Sequence, residues 1–81
     1  MNRDEVFDLV ARHLAEELEV DAAQIGEGTR FKEDLDADSL DLYELVMELE
    51  DRYGIAVPEE QAARIETVGD AVSFVMEHAP A

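Results

Sequence analysis

The chain has 81 residues, with 22 Asp and Glu against 6 Lys and Arg, a formal net charge of −16 and no cysteine. That length allows one domain, residues 1–81, and a chain so short buries only roughly 60% of its unfolded surface, which argues against a deep enzymatic cleft. The charge repels nucleic acid and anionic membranes and attracts basic proteins, while the lack of cysteine removes disulfides, thiolate metal sites and thiol catalysis.

Such a charge can accompany disorder, but 47% of the residues are hydrophobic and they fall at helical spacing. A folded domain is expected. Met1 is followed by polar and charged residues, without a signal-like apolar run or a stretch near 18 residues long enough for a membrane helix. The simplest expectation is a soluble cytoplasmic protein, a monomer without stable membrane insertion.

The first predicted helix covers residues 4–18, where Val6, Phe7, Val10, Leu14 and Leu18 recur at three- and four-residue steps. Residues 19–38 lose that period and collect Gly26, Gly28, Thr29 and several acids. So long a connection is commonly functional or hides an element; Ile25, Phe31 and Leu35 are expected to pin it to the core. A second helix runs from 38 or 39 to 53 and stops at Gly54, a C′ glycine. Pro58 suits the first position of a short third helix, residues 59–64. Thr67-Val68-Gly69-Asp70 resembles a capping box opening a fourth helix. Its inward stripe is predicted as Val68, Ala71, Val72, Val75 and Met76, with Pro80 beyond its end. No segment alternates as a strand would. The predicted fold is all-α: a small four-helix bundle with three main helices, a short third one, and a long loop between the first two.

The second helix carries more apolar surface than one core needs. At about 100° per residue, Leu42, Leu45, Val46, Leu49 and Tyr53 share the arc that should face inward. Leu40, Tyr43 and Met47 point well over 100° away, and Asp41, Glu44, Glu48 and Asp51 lie beside them. Carboxylates that steer a basic partner, next to apolar side chains that supply a dry contact, make a docking surface. The alternative packs Leu40, Tyr43 and Met47 under the long loop or the third helix, with the acids merely solvated. Geometry balances the two readings; an aromatic residue and an adaptable methionine favour docking.

Ser39 stands at the mouth of this helix. A hydrolytic role for it would need a nearby base and an oxyanion hole. The only histidines, His13 and His78, sit in no recognisable motif, and no Gly-x-Ser-x-Gly elbow surrounds the serine. A calcium loop also fails. Asp34, Asp36 and Asp38 match the first three ligand positions, but the required glycine is Ser39 and the twelfth-position glutamate is Leu45. No metal ligands are therefore assigned. Asp38 is a good N-cap with Asp41 three residues on, so the hydroxyl of Ser39 is free of that task. It is expected to be exposed, where a helix N-terminus favours a negative group.

Asp34-Leu35-Asp36-Ala37-Asp38-Ser39-Leu40-Asp41, followed by Glu44-Leu45-Val46-Met47 and Leu49-Glu50, closely resembles the bacterial acyl carrier proteins. Phe31, Ile55-Ala56-Val57-Pro58, Thr67-Val68 and the acidic balance fall where that family places them, so the likeness covers nearly the whole chain. It implies that Ser39 bears 4′-phosphopantetheine, received from coenzyme A, through a phosphodiester. The thiol of that arm would hold acyl groups as thioesters, sheltered between the helices.

The resemblance further implies that Asp38, Asp41, Glu44 and Asp51 meet basic patches on partner enzymes, and that Leu40, Tyr43 and Met47 are exposed apolar contacts. Glu48 adjoins them. The implied partners are a phosphopantetheinyl transferase, malonyl transferase, ketosynthases, reductases and dehydratases of fatty acid synthesis, and the protein is a substrate tether, not an enzyme. A carrier of polyketide or another specialised pathway is the alternative within the fold. A non-carrier acidic module binding a basic protein or divalent ions is the alternative outside it. The sequence departs from the family pattern twice, with Asp36 where glycine is usual and Tyr43 where a small aliphatic residue is usual.

Overall fold

The computed structural model describes residues 2–79. Its α-helices are α1 (Arg3–Leu18), α2 (Ser39–Tyr53), α3 (Glu59–Ala62) and α4 (Val68–His78), with a 3-10 turn at Ala22–Gln24. Among the described residues the only β-type pairing is an isolated bridge between Arg30 and Thr67. The all-α expectation holds.

Asn2 starts α1 by accepting the Glu5 N–H at 2.9 Å. Val6, Val10, Ala11 and Leu14 form its buried stripe, which packs chiefly on Val68, Ala71, Val72 and Val75 of α4. The helix stops at Glu19 in a left-handed conformation, φ 56°, a strained setting for a residue with a Cβ.

The long connection is not structureless. Asp21 caps the short turn by accepting the Ala23 N–H at 2.9 Å. Ile25, Phe31 and Ala37 are buried and Leu35 half-buried, so all three predicted pins touch the core. The segment is also tied to the start of α4: Phe31 N–H donates to the Glu66 carbonyl at 3.0 Å, and Val68 N–H to the Thr29 carbonyl at 2.9 Å. Gly69 N–H reaches the Glu27 carbonyl at 2.7 Å. A Cβ at Gly69 would lie 2.9 Å from that same oxygen, so this approach requires glycine. Arg3 adds a link from α1, its Nε 3.0 Å from both Glu27 carboxylate oxygens.

Three details differ from the sequence expectations. Pro58 is the N-cap of α3 and not its first helical residue, with φ −60° and ψ 154°. The helix also ends earlier than residue 64, because the Arg64 and Ile65 amides bond three residues back and tighten the last turn. In α4, Met76 is exposed while Phe74 is buried. Phe74 lies roughly 110° off the main stripe by helical geometry, but Gln61, Arg64 and Ile65 come alongside it. The His78 ring also stacks on it with centroids 4.1 Å apart. Tertiary neighbours, not periodicity, bury that ring. The capping box at Thr67 is present, with the Asp70 N–H donating to the Thr67 hydroxyl at 3.1 Å. Pro80 lies outside the described residues.

Candidate functional site

The turn leading into α2 is locally determined. Arg30 N–H donates to the Asp34 carboxylate at 2.8 Å, and Ala37 N–H to the Phe31 carbonyl at 2.9 Å. The Arg30 guanidinium, hydrogen-bonded to Asp34 and paired with Glu33, holds the Asp34 carboxyl below its ordinary range. Asp36 takes the left-handed conformation, φ 56°, which Asp tolerates better than most residues. Thus it makes the turn at the position where the sequence lacks glycine.

At Asp38 a reciprocal cap opens α2. The Asp38 carboxylate accepts the Asp41 N–H at 3.0 Å, and the Asp41 carboxylate accepts the Asp38 N–H at 3.1 Å. Ser39 is the first helical residue and is exposed. Among the described residues its hydroxyl has no hydrogen-bond partner, because the two aspartates already perform the capping. With the Asp38 and Asp41 amides taken by the cap, the Ser39 and Leu40 amides are the first-turn donors left without an acceptor in the helix. An anionic phosphodiester on this oxygen would lie at the positive end of the helix dipole. The residues present therefore fit such a group.

Leu40, Tyr43 and Met47 are 67%, 50% and 61% exposed. They are not packed under the loop or α3, which removes the alternative reading of these side chains. Asp38, Glu44 and Asp51 are exposed beside them, and Asp41 and Glu48 are half-buried. Asp41 thus has a structural task in the cap as well as a place on the surface. On the inner side, Leu45 and Leu49 are buried and Leu42, Val46 and Tyr53 half-buried.

That inner side does not close on its neighbours. A cleft of about 410 Å³ begins at Ser39 and runs between α2 and α3. Its apolar wall includes Phe31, Leu42, Leu45, Val46, Leu49 and Ile65, with Ala62 and Ala63 opposite α2, and its rim carries Arg30, Lys32, Glu33, Glu59 and Glu66. The volume lies within the usual range for small-molecule sites. The sequence reading did not locate this cavity. Two adjacent small residues of the predicted third helix, Ala62 and Ala63, were the available signal.

Another feature was not legible. Glu17 of α1 meets Asp41 and Glu44 of α2, with one carboxylate oxygen from each mutually within 4.8 Å. A hydrogen bond to Glu44, loss of hydration and repulsion from Glu44 and Asp41 push the Glu17 carboxyl up to about 7. By contrast, Asp34, Asp36 and Asp38 are engaged in the ion pair, the turn and the cap already described. His13 is half-buried and its Nε2 has no partner; His78 lies at the end of α4, its Nδ1 2.9 Å from the Phe74 carbonyl. Neither is brought to Ser39 in the hydrogen bonds of the described residues.

An exposed hydroxyl at the start of α2 thus opens beside an apolar cleft. Comparison with known proteins defines the class. The family model described as phosphopantetheine attachment site matches residues 8–75. The acyl carrier protein of Lactobacillus acidophilus is 45% identical over 78 residues, covering 96% of this chain and 98% of the relative. That of Rubrobacter xylanophilus is also 45% identical over 78 residues, covering 96% of each. A solved structure reported for the thermally stable acyl carrier protein from Enterococcus faecalis superposes with a TM-score of 0.84 at 38% identity, covering 98% of this chain and 100% of that one.

The chain belongs to the phosphopantetheine-attachment family and, within it, to the acyl carrier proteins. Its prosthetic group is accordingly 4′-phosphopantetheine.

Proposed function

We propose that Ser39 is the residue that carries the prosthetic arm, and that the protein is a monomeric, cytoplasmic tether that is not itself an enzyme. It presents acyl thioesters to the enzymes of fatty acid synthesis. The observation that carries the assignment to Ser39 is its exposed hydroxyl at the first position of α2, released from capping by the Asp38–Asp41 pair. On transfer from coenzyme A, the serine oxygen forms a bond to the pantetheine-bearing phosphorus. The pyrophosphate linkage breaks, adenosine 3′,5′-bisphosphate leaves, and the hydroxyl proton goes to the transferase or to water.

The cleft supports the second half of the reading. An acyl chain folding back from an arm on Ser39 meets an apolar wall that begins at the same residue. Burying that chain there removes apolar surface from water, at about 0.8 kcal/mol per methylene. The strip of Leu40, Tyr43 and Met47 flanked by Asp38, Asp41, Glu44, Glu48 and Asp51 supplies the surface for basic partners. These partners are the phosphopantetheinyl transferase first, then the malonyl transferase, ketosynthases, reductases and dehydratases. Among the described residues no helix is long and apolar enough to cross a membrane.

The test is direct. Incubation with coenzyme A, magnesium and a broad-specificity phosphopantetheinyl transferase should add the mass of one phosphopantetheine, and Ser39→Ala should abolish the gain. A wild-type chain that takes no group, or a Ser39→Ala chain that still does, overturns the assignment.

A further inference from the structure

Tyr43 belongs to two surfaces at once. It is half exposed on the apolar strip of α2, and it also lines the cleft that begins at Ser39. Leu40 and Met47, the other two members of the strip, do not line it. Residues four apart on a helix stand one above the other on the same face. The Tyr43 ring therefore lies one turn beyond Ser39, where a chain tethered at the serine enters the apolar interior.

The side chain is chemically suited to that place. A phenol has an apolar body and a polar tip that stays in water. The cleft wall behind it is aliphatic, made by Leu42, Leu45, Val46 and Leu49 on the same helix. Charged groups also line the cleft, among them Glu33 and Arg30, which are paired with each other, and Lys32. Tyr43 is thus the one aromatic side chain that can cover a guest in the cleft while keeping its hydroxyl solvated; Phe31, the other ring on the wall, is itself buried.

We propose that Tyr43 is a specificity-determining residue for the cargo, closing the mouth of the cleft over a medium or long unbranched acyl chain and leaving short acyl groups uncovered. The proposal rests on the reading that Ser39 bears the arm. Chains too short to reach past the first turn of the wall gain nothing from the ring, so the residue sorts cargo by length.

The chain contains two tyrosines and no tryptophan, so Tyr53→Phe leaves Tyr43 as the sole intrinsic fluorophore. Acetyl- and octanoyl-phosphopantetheine forms of this variant, with loading verified by intact mass, should differ in acrylamide quenching. The octanoyl form should quench roughly twofold less, since the guest covers the ring face that lines the cleft and leaves only the outer side open to the quencher; the acetyl form should match the unacylated arm. In the chain retaining Tyr53, Tyr43→Ala should hasten hydroxylamine cleavage of the octanoyl thioester several-fold relative to wild type, and Tyr43→Phe should restore protection. Full loading with equal quenching, or equal cleavage rates for all three side chains, overturns the role of Tyr43 and leaves the arm on Ser39 intact. Failure of the chain to load at all overturns both.

Discussion

The two halves of this small bundle are built differently. Along the contact of α1 with α4, Val6, Val10, Leu14, Val68, Val72 and Val75 are all fully buried, and all but one of them are β-branched valines. Between α2 and α3 the wall is aliphatic as well, yet it leaves about 410 Å³ open beside Ser39. A four-residue helix ending in small alanines cannot fill the groove that the fifteen-residue α2 presents. One half is buried throughout; the other gives up packing beside α2. Interiors are normally close-packed, so space of this kind beside the exposed Ser39 sets the open half apart.

The largest effect expected of any single change lies in the open half and leaves stability almost untouched. Ser39→Ala should remove all phosphopantetheine loading, read by mass, while its unfolding free energy in urea stays within about 0.5 kcal/mol of wild type, as for exposed positions generally. A marked loss of stability would show that the hydroxyl supports the helix after all.

Next come substitutions that compare the halves. Leu14→Ala, in the dry half, should cost about 2–5 kcal/mol in urea unfolding through the cavity it leaves. Val46→Ala, half-buried on the wall of the existing cleft, should cost about 1 kcal/mol, because few contacts are lost there. Loading an octanoyl group should then stabilise the Val46→Ala chain less than wild type and leave the Leu14→Ala deficit unchanged. Equal costs at the two sites would erase the distinction between them.

The acidic face of the open half offers a smaller effect. Glu44→Lys should slow transferase loading several-fold at low salt, with the difference shrinking above 0.1 M, where the screening length is about 10 Å. Asp41 is a poorer probe of docking, since its carboxylate also caps the Asp38 amide and losing a cap alone costs about 1 kcal/mol. Rates independent of both charge and salt would make the acids a solvated face.

The smallest effect is one of pH and concerns the seam between the halves. Glu17 has its carboxyl raised to about 7 in the folded protein, from 4.5, by its hydrogen bond to Glu44 and the neighbouring negative charges. The folded state therefore binds more protons than the unfolded one between those values. Its contribution is complete below pH 4.5 and is lost as pH rises through 7. On α1 itself His13 stands one turn before Glu17, and across the seam α2 brings Asp41 and Glu44 against it. The ion pairs of the described residues leave this cluster without a cation. Melting temperatures followed from pH 5 to 8 should fall in wild type more than in Glu17→Gln. Parallel curves would mean that the three carboxylates ionise independently.

Much of the open half was readable without coordinates. The period of Leu45 and Leu49, the caps at Asp38 and Gly54, and the outward angle of Leu40, Tyr43 and Met47 all follow from spacings of three or four residues. Local geometry enforces such spacings whatever the rest of the chain does. Asp36 could be judged fit for a left-handed turn for the same reason. Errors appeared where a neighbour distant in sequence decides: Phe74 is buried by the α3 segment, and Met76 loses the place that periodicity assigned it.

The amino-acid sequence by itself therefore determined the helices, their start and stop signals, the open position of Ser39 and the family to which the chain belongs. Tertiary structure alone decided that a cleft would remain between α2 and α3, that Tyr43 would border it, and that Glu17 would cross to Asp41 and Glu44. Helical pattern fixes which face of an element is apolar, a matter of bonds between near neighbours. How much space is left between two such faces depends on the lengths of both elements and the side chains that meet there, which no single segment encodes.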